Sequence, residues 1–337
     1  MQRRHERSRL RRQRRVVGRP QDVPGLRRGR FAMNRNEFLP DTAQRRPRSA
    51  IRAAMALIAA MLATAASSEE LPRSPDAIAA VPVCVLTLNL WHDKGDWPKR
   101  RAMIVDEIRR LNPNLIALQE VLQRPGLRNQ AEDLAQATGY EVRFVSVDAD
   151  DAERRYGNAI LYKIPGSAQD MRKLEPLNDY RTAAHAQATF DAMHNGVDFY
   201  ATHLHNEREG GAIRRRQIAS LLDFIDDSQR TGNVIVAGDF NSDADSPELK
   251  ALAARYRDAY AQAHPDSAAD PARSTTLNPA YLPAQRIDHV FYDPKRFELI
   301  EARIVLNQPR DGVWASDHFG LFVRLRPTRP LESRRRH

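Results

Sequence analysis

From Val81 onward the chain alternates between two hydrophobic rhythms. "VPVCVLTLNL" (81–90) is an almost unbroken apolar run, the pattern of a strand buried on both faces. "DWPKRRAMIVDEIRRLN" (96–112) changes to a helical period, with Met103, Ile104, Ile108 and Leu111 on one stripe, Asp96 as N-cap and Pro98 in the first turn. "PNLIALQEV" (113–121) is apolar again and predicts the next strand. A helical pattern over Asn129–Thr138 precedes three strand-like stretches, "YEVRFVSV", "GNAILYKI" and "HAQATFDAM", and then "VDFYATHLH" (197–205), whose second half alternates. "GGAIRRRQIASLLDFIDD" (210–227) is helical on Ile213, Gln217, Ile218, Leu221, Leu222 and Ile225. "NVIVAGDFNSDADSPE" predicts a strand that stops at an acidic turn, a short helix is expected over Pro247–Tyr256, and "RIDHVFYD", "LIEARIVL" and "HFGLFVRLRP" are the final strands. No internal repeat is visible. Strands interrupted by helices in some places and by hairpins in others predict one α/β domain, two packed sheets flanked by helices.

Composition changes this picture only at the ends. The apolar fraction of 42% over 337 residues is ample for such a core. The formal net charge of +10 suggests a polyanion partner until its distribution is read. Residues 1–52 hold 17 Arg against 4 acidic residues, and the last eleven residues, "PTRPLESRRRH", hold four Arg and one Glu, so residues 53–326 are mildly acidic. The field of the folded part therefore gives no support for electrostatic capture of nucleic acid. After the Arg-rich start come fourteen uncharged residues, "AAMALIAAMLATAA" (Ala53–Ala66), followed by polar, Pro-containing "SSEELPRSPD". That order is the pattern of a secretory signal peptide, and the apolar run is shorter than the roughly 20 residues a membrane span needs. Export to the periplasm or the medium is expected, with a cytoplasmic location the lesser reading. A true start at Met33 is one explanation for the length of the basic stretch. The expected organisation is a basic extension and signal peptide over 1–66, a linker over 67–80, a catalytic domain over 81–326 and a basic tail over 327–337. Cys84 is the one cysteine, so no intramolecular disulfide is possible, and its apolar strand suits packing.

Candidate chemistry gathers where strands stop. Asn89 interrupts "LTLNL"; Gln119 and Glu120 close "LIALQEV"; His203 and His205 fall on one face of "ATHLH" by alternation; Asp239 and Asn241 do the same in "GDFN"; Asp288 opens "IDHVF", and Asp317 and His318 precede the last strand. Taken singly, each has an ordinary explanation. A lone Asn or Asp at a strand end is a cap or turn residue, and a lone His on a strand is a hydrogen-bonded structural group. Three histidines, two of them read as catalytic, four carboxylates and three carboxamides in this order go beyond those explanations.

In that order the chain resembles the endonuclease/exonuclease/phosphatase superfamily, the DNase I-like phosphoesterases, through "LTLNLW", "LIALQEV", "YGNAIL", "ATHLH", "VAGDFNS", "RIDHVF" and "SDHFGL", which run from about Val83 to Leu325. The resemblance implies a four-layered α/β sandwich. It implies that Glu120, with Asn89 and Asp317, holds a divalent cation, and an oxygen-only set favours Mg²⁺, with Mn²⁺ or Ca²⁺ as alternatives. It also implies that Asp239 orients or deprotonates the attacking water, that Asn241 holds the phosphate, that His318 aimed by Asp288 pairs with the phosphate or activates water, and that His203 contacts the scissile phosphate. Asn158 of "YGNAIL" corresponds to a position lining the site, although a turn role is as good; His205 is kept as a substrate-side candidate without a family role. The expected function is hydrolysis of a phosphoester by water, in nucleic acid, a lipid headgroup or a small molecule, by a monomer with no obligate protein partner. The alternatives are a DNase I-like extracellular endonuclease specifically, a non-catalytic binding module on the same fold, and a nucleic-acid binder acting through residues 1–52. Retention of Glu120, His203, Asp239 and His318 speaks against the binding module.

Overall fold

The computed structural model describes residues 81–328 apart from residue 164 and residues 190–195. The expected basic extension, signal peptide and linker, and residues 329–337 of the tail, lie outside them. The chain runs β1 (Val83–Asn89), α1 (Trp97–Leu111), β2 (Leu115–Gln123), α2 (Gln130–Thr138), β3 (Glu141–Ser146), β4 (Arg155–Tyr162), β5 (Pro165–Lys173), β6 (Thr182–Thr189), β7 (Gly196–His203), α3 (Gly211–Ser228) and β8 (Val234–Asp239). It continues through α4 (Lys250–Ala253), β9 (Arg257–Asp258), α5 (Ala259–Ala263), α6 (Pro271–Ser274), β10 (Asp288–Tyr292), β11 (Phe297–Val305) and β12 (Gly320–Pro327). The strands form two six-stranded mixed sheets, ordered β11-β12-β1-β2-β4-β3 and β5-β6-β7-β8-β10-β9.

The alternation in β1 explains the layering. Val83 and Val85 point between the sheets and join Ala117, Ile160, Ala184, Phe199, Ala201, Ile235 and Ala237 in the central core; Leu86 and Leu88 point the other way, onto Ile104 and Ile108 of α1 and Leu134 of α2. On the far side, Tyr200 and Val236 meet Ile218, Leu221 and Phe224 of α3. Both faces of each sheet are therefore covered, which is why the central strands read as continuous apolar runs. Burying each of the Val, Leu, Ile and Phe side chains among them is worth about 1.5–3 kcal/mol. The result is helix, sheet, sheet, helix, as the sequence led us to expect.

Helix ends follow local chemistry. The Asp96 side chain accepts from Lys99 N (3.2 Å) ahead of α1, and Asn112 closes the helix in the left-handed conformation. Asn129 caps α2 and Gly139 ends it. Trp97, which has the look of an exposed residue in "HDKGDWPKR", is buried at 8% exposure, with the Arg100 guanidinium over its ring. Strand β5 was not anticipated. Its sequence, "PGSAQDMRK", has no apolar alternation, and it pairs on one side only, at the sheet edge.

The topology gathers the site. Each sheet contains one parallel pair, β1 with β2 and β7 with β8, and each pair is joined by a long helix, α1 or α3. Parallel strands end on the same side, so Asn89 lies opposite Gln119 and His203 opposite Asp239. The antiparallel neighbours begin where these end: Asp288, the first residue of β10, faces Asp239, and β12 starts just after His318, beside the end of β1. At the last step of β8 the backbone needs a residue without a side chain. Gly238 has φ +150°, and a Cβ there would lie 2.0 Å from the carbonyl oxygen of Thr202 on β7.

Candidate active site

Asp239 is the centre of the cluster. Its Oδ2 accepts from Asn89 Nδ2 at 3.0 Å and lies 3.3 Å from His203 Nε2 and 3.9 Å from His318 Nε2. Its Oδ1 accepts from the backbone N of Asn241 at 3.0 Å. His318 Nδ1 is 2.8 Å from Asp288 Oδ2, and Asp288 is held by Thr276, whose hydroxyl accepts from the backbone N of Ile287 and of Asp288. The second oxygen of Asp288 is buried without a partner.

These contacts set the charges. Burial pushes the Asp239 carboxyl up, the negative charge of Asp288 adds to it, and its pKa reaches about 7. Burial alone would discharge His318, but Asp288, then Asp239 and Asp317, outweigh it and raise its pKa to about 10, so it is an imidazolium at neutral pH. His203 goes the other way: burial and the positive charges of Arg181, His318 and His92 hold it well below its ordinary value, and it is neutral.

Glu120 owes its aim to a bulge. The β2–β4 register slips between Leu118 and Val121, and Glu120 takes a left-handed φ of +55°, which turns its carboxylate out of the sheet alternation. There it meets His92 Nε2 at 2.8 Å. Burial works against its charge, but His92 prevails and holds the carboxyl below its ordinary pKa. Asp317 is raised by burial, and the nearby charge of Glu120 adds to it. Two carboxylates that repel one another form an oxygen pair that fits a hard divalent cation; next to them Asn89 donates its Nδ2 to Asp239, while its Oδ1 accepts from Trp91 N at 3.0 Å. Asp239, Asp288 and His318 also present donor atoms within 4.8 Å of one another, but His318 is committed to Asp288 there.

Of the residues picked out from sequence, Asn89, Glu120, His203, Asp239, Asn241, Asp288, Asp317 and His318 come together at this one edge. One of them, Asn241, reaches it by a different route from the expected alternation, and His205 does not reach it. β8 ends at Asp239, and Asn241 stands beyond it with φ +49°, its Nδ2 donating to Leu204 O at 3.0 Å. β7 ends at His203, so His205 is not its neighbour on a strand face; His205 Nδ1 pairs instead with Asp179 at 2.8 Å. Asn158 is buried in β4 and donates to Thr182 O (3.0 Å) and Thr182 Oγ1 (3.1 Å), tying β4 of one sheet to β6 of the other.

Sequence reading passed over His92, although it stands three residues after Asn89 in "LNLWH". It also passed over Arg100, which is fully buried and donates to Leu90 O, His92 O, Lys94 O and Ala315 O. This guanidinium fixes the loop that carries His92, and the apolar period of α1 gave no sign of it. Arg181, Tyr156 and Tyr180 were missed as well; with His92, Glu120 and Arg154 they line a cavity of about 430 Å³.

Residues 86–318, more than half of the chain, match the Endonuclease/Exonuclease/phosphatase family. The chain belongs to this family. None of the curated proteins matches it. Among solved structures it is similar to the human Nocturnin catalytic domain with bound sulfate anion (19% identity, 73% of this chain and 94% of that one, TM-score 0.60). It is also similar to D. rerio TDP2 complexed with single strand DNA product (18%, 72% and 98%, TM-score 0.60). A third is an endonuclease/exonuclease/phosphatase from Beutenbergia cavernae DSM 12333 (20%, 74% and 72%, TM-score 0.57). At these identities the likeness is one of fold: two packed six-stranded sheets with flanking helices. The family consists mostly of hydrolytic phosphoesterases, which generally use divalent metals.

Proposed function

We propose that the protein is a divalent-metal-dependent phosphoester hydrolase in which water attacks phosphorus without a covalent intermediate. The observation that carries this reading is the Asp239 carboxyl, with a pKa near 7, enclosed by Asn89, His203 and a His318 imidazolium that Asp288 aims. A carboxyl poised near neutrality suits removal of a proton from water; such help is typically worth ~10²–10⁴-fold in rate. The His318 Nε2–H is free to donate to a phosphoryl oxygen, while neutral His203 adds no charge next to the base. Asn241 keeps one amide N–H for the phosphate after its bond to Leu204. Glu120 and Asp317 would hold the cation, Mg²⁺ or Mn²⁺ by the hardness of their oxygens. Bound there, it would supply positive charge to the phosphoryl oxygens as the transition state forms.

The test is hydrolysis of bis-p-nitrophenyl phosphate by protein beginning at Ser67. Turnover is expected with Mg²⁺ or Mn²⁺, abolished by EDTA, and reduced at least a hundredfold in Glu120→Ala and in His318→Ala. Turnover that survives EDTA, or that either variant retains, would refute the proposal.

A further inference from the structure

The turn between Asn89 and α1 is forced into shape by the rest of the molecule. Trp91 and His92 both have left-handed backbones, with φ of +54° and +46°. Residues with a Cβ hold that conformation only where their surroundings over-determine it. Here the surroundings are buried side chains. The Arg100 guanidinium donates to Leu90 O, to His92 O at 3.3 Å and to Lys94 O at 3.0 Å, and its Nε donates to Ala315 O at 3.1 Å, two residues before Asp317. Asn89 Oδ1 accepts from Trp91 N at 3.0 Å. Gln130, fully buried at the start of α2, makes the link to β2: its Nε2 donates to His92 O at 2.7 Å, while its Oε1 accepts from Leu122 N at 2.9 Å, two residues past Glu120. One side chain thus ties the His92 turn to the strand that carries Glu120.

What this scaffold presents is a single contact. His92 Nε2 stands 2.8 Å from Glu120 Oε2, and Glu120 is itself left-handed, at the bulge of β2. Tyr156 packs edge-on against the imidazole, with 4.9 Å between ring centroids. The two side chains of the pair are 30% and 21% exposed, and a pair so placed adds little to stability. Three strained residues cost more than such a contact gives back, so the contact serves the site rather than the fold. Its use follows from the shape of a carboxylate, which has two oxygens and turns freely unless one of them is held. Facing a carboxylate, Nε2 carries its hydrogen in the neutral ring and in the cation alike, and a bond to Oε2 leaves Oε1 in one orientation. Hydrogen-bond partners that aim a ligating group in this way are typically worth ~10–100-fold in metal affinity.

We infer that His92 is a positioning residue of the cation site, which fixes the Glu120 carboxylate through Oε2 and leaves Oε1 to the metal. The inference rests on the proposed hydrolase reading, in which Glu120 holds the cation. Mn²⁺ is titrated calorimetrically into the wild type, His92→Ala, His92→Gln and Glu120→Gln, and each protein is unfolded with denaturant in EDTA. His92→Ala is expected to bind Mn²⁺ ~10–100-fold more weakly. His92→Gln, whose side-chain N–H can reach the same oxygen, is expected to recover most of that loss. The denaturation midpoints of His92→Ala and the wild type are expected to agree, because the pair is partly exposed. Wild-type affinity in His92→Ala, or a joint fall of affinity and midpoint that His92→Gln does not repair, would overturn the inference. A nitrogen coupling to bound Mn²⁺ in pulsed EPR that disappears in His92→Ala would overturn it too, by making the imidazole a ligand itself. No binding of Mn²⁺ by the wild type would overturn the hydrolase reading together with the inference. Binding that Glu120→Gln weakens and His92→Ala leaves intact would overturn the inference alone.

Discussion

Single residues at this site work through their neighbours' charge. Asp288 is the clearest case, since it both aims His318 and keeps it protonated. Because the folded pKa of His318 is raised above the ordinary 6.5, its ion pair contributes stability that is fully present below that value and is lost as pH rises through about 10. Replacing Asp288 by Asn removes the counter-charge, and burial then pulls the imidazole down. Histidine proton resonances followed against pH are expected to show one ring titrating near 10 in the wild type and clearly lower in Asp288→Asn; an unchanged titration would remove Asp288 from this role. At this scale the sequence was informative about anions and poor about cations. Asp239 stands where an apolar strand stops, Asp288 where one starts and Glu120 at a bulge within one, so their placement needs an explanation. Arg181 stands in front of an Ala-rich strand, where an arginine is unremarkable until its burial is seen in three dimensions.

Among the elements, strands β1, β2, β7, β8, β10 and β12 were legible because both their faces are buried and their runs are bounded by breakers. What the hydrophobic pattern did not contain was the local backbone at their ends. The bulge that turns Glu120, and its left-handed φ, come from register between strands, which no single segment encodes. Edge strand β5 and the segment from Arg257 to Ser274 escaped for a related reason: short elements held by neighbours have little period of their own. The close approach of β7 and β8 gives an element-scale prediction. A methyl group at Gly238 meets Thr202 O and strains the backbone, so Gly238→Ala is expected to cost about 3 kcal/mol or more in denaturant unfolding and to lower activity by moving Asp239. A cost below about 0.5 kcal/mol would show that the strands can part there without consequence.

Across the whole molecule, two sheets place two parallel pairs side by side, and the ends of these pairs with the beginnings of their antiparallel neighbours supply every group around Asp239. The architecture therefore survives in solved structures only 18–20% identical to this chain. The mildly acidic folded region offers no wide basic surface for a polyanion. The central claim is that Asp239 serves as the base in metal-dependent hydrolysis, and the most direct measurement is the turnover of Asp239→Asn with Mn²⁺ saturating, alongside calorimetric titration of the metal. The account predicts a fall of ~10²–10⁴-fold in kcat with metal affinity within a few-fold of the wild type; turnover within tenfold of the wild type would contradict it.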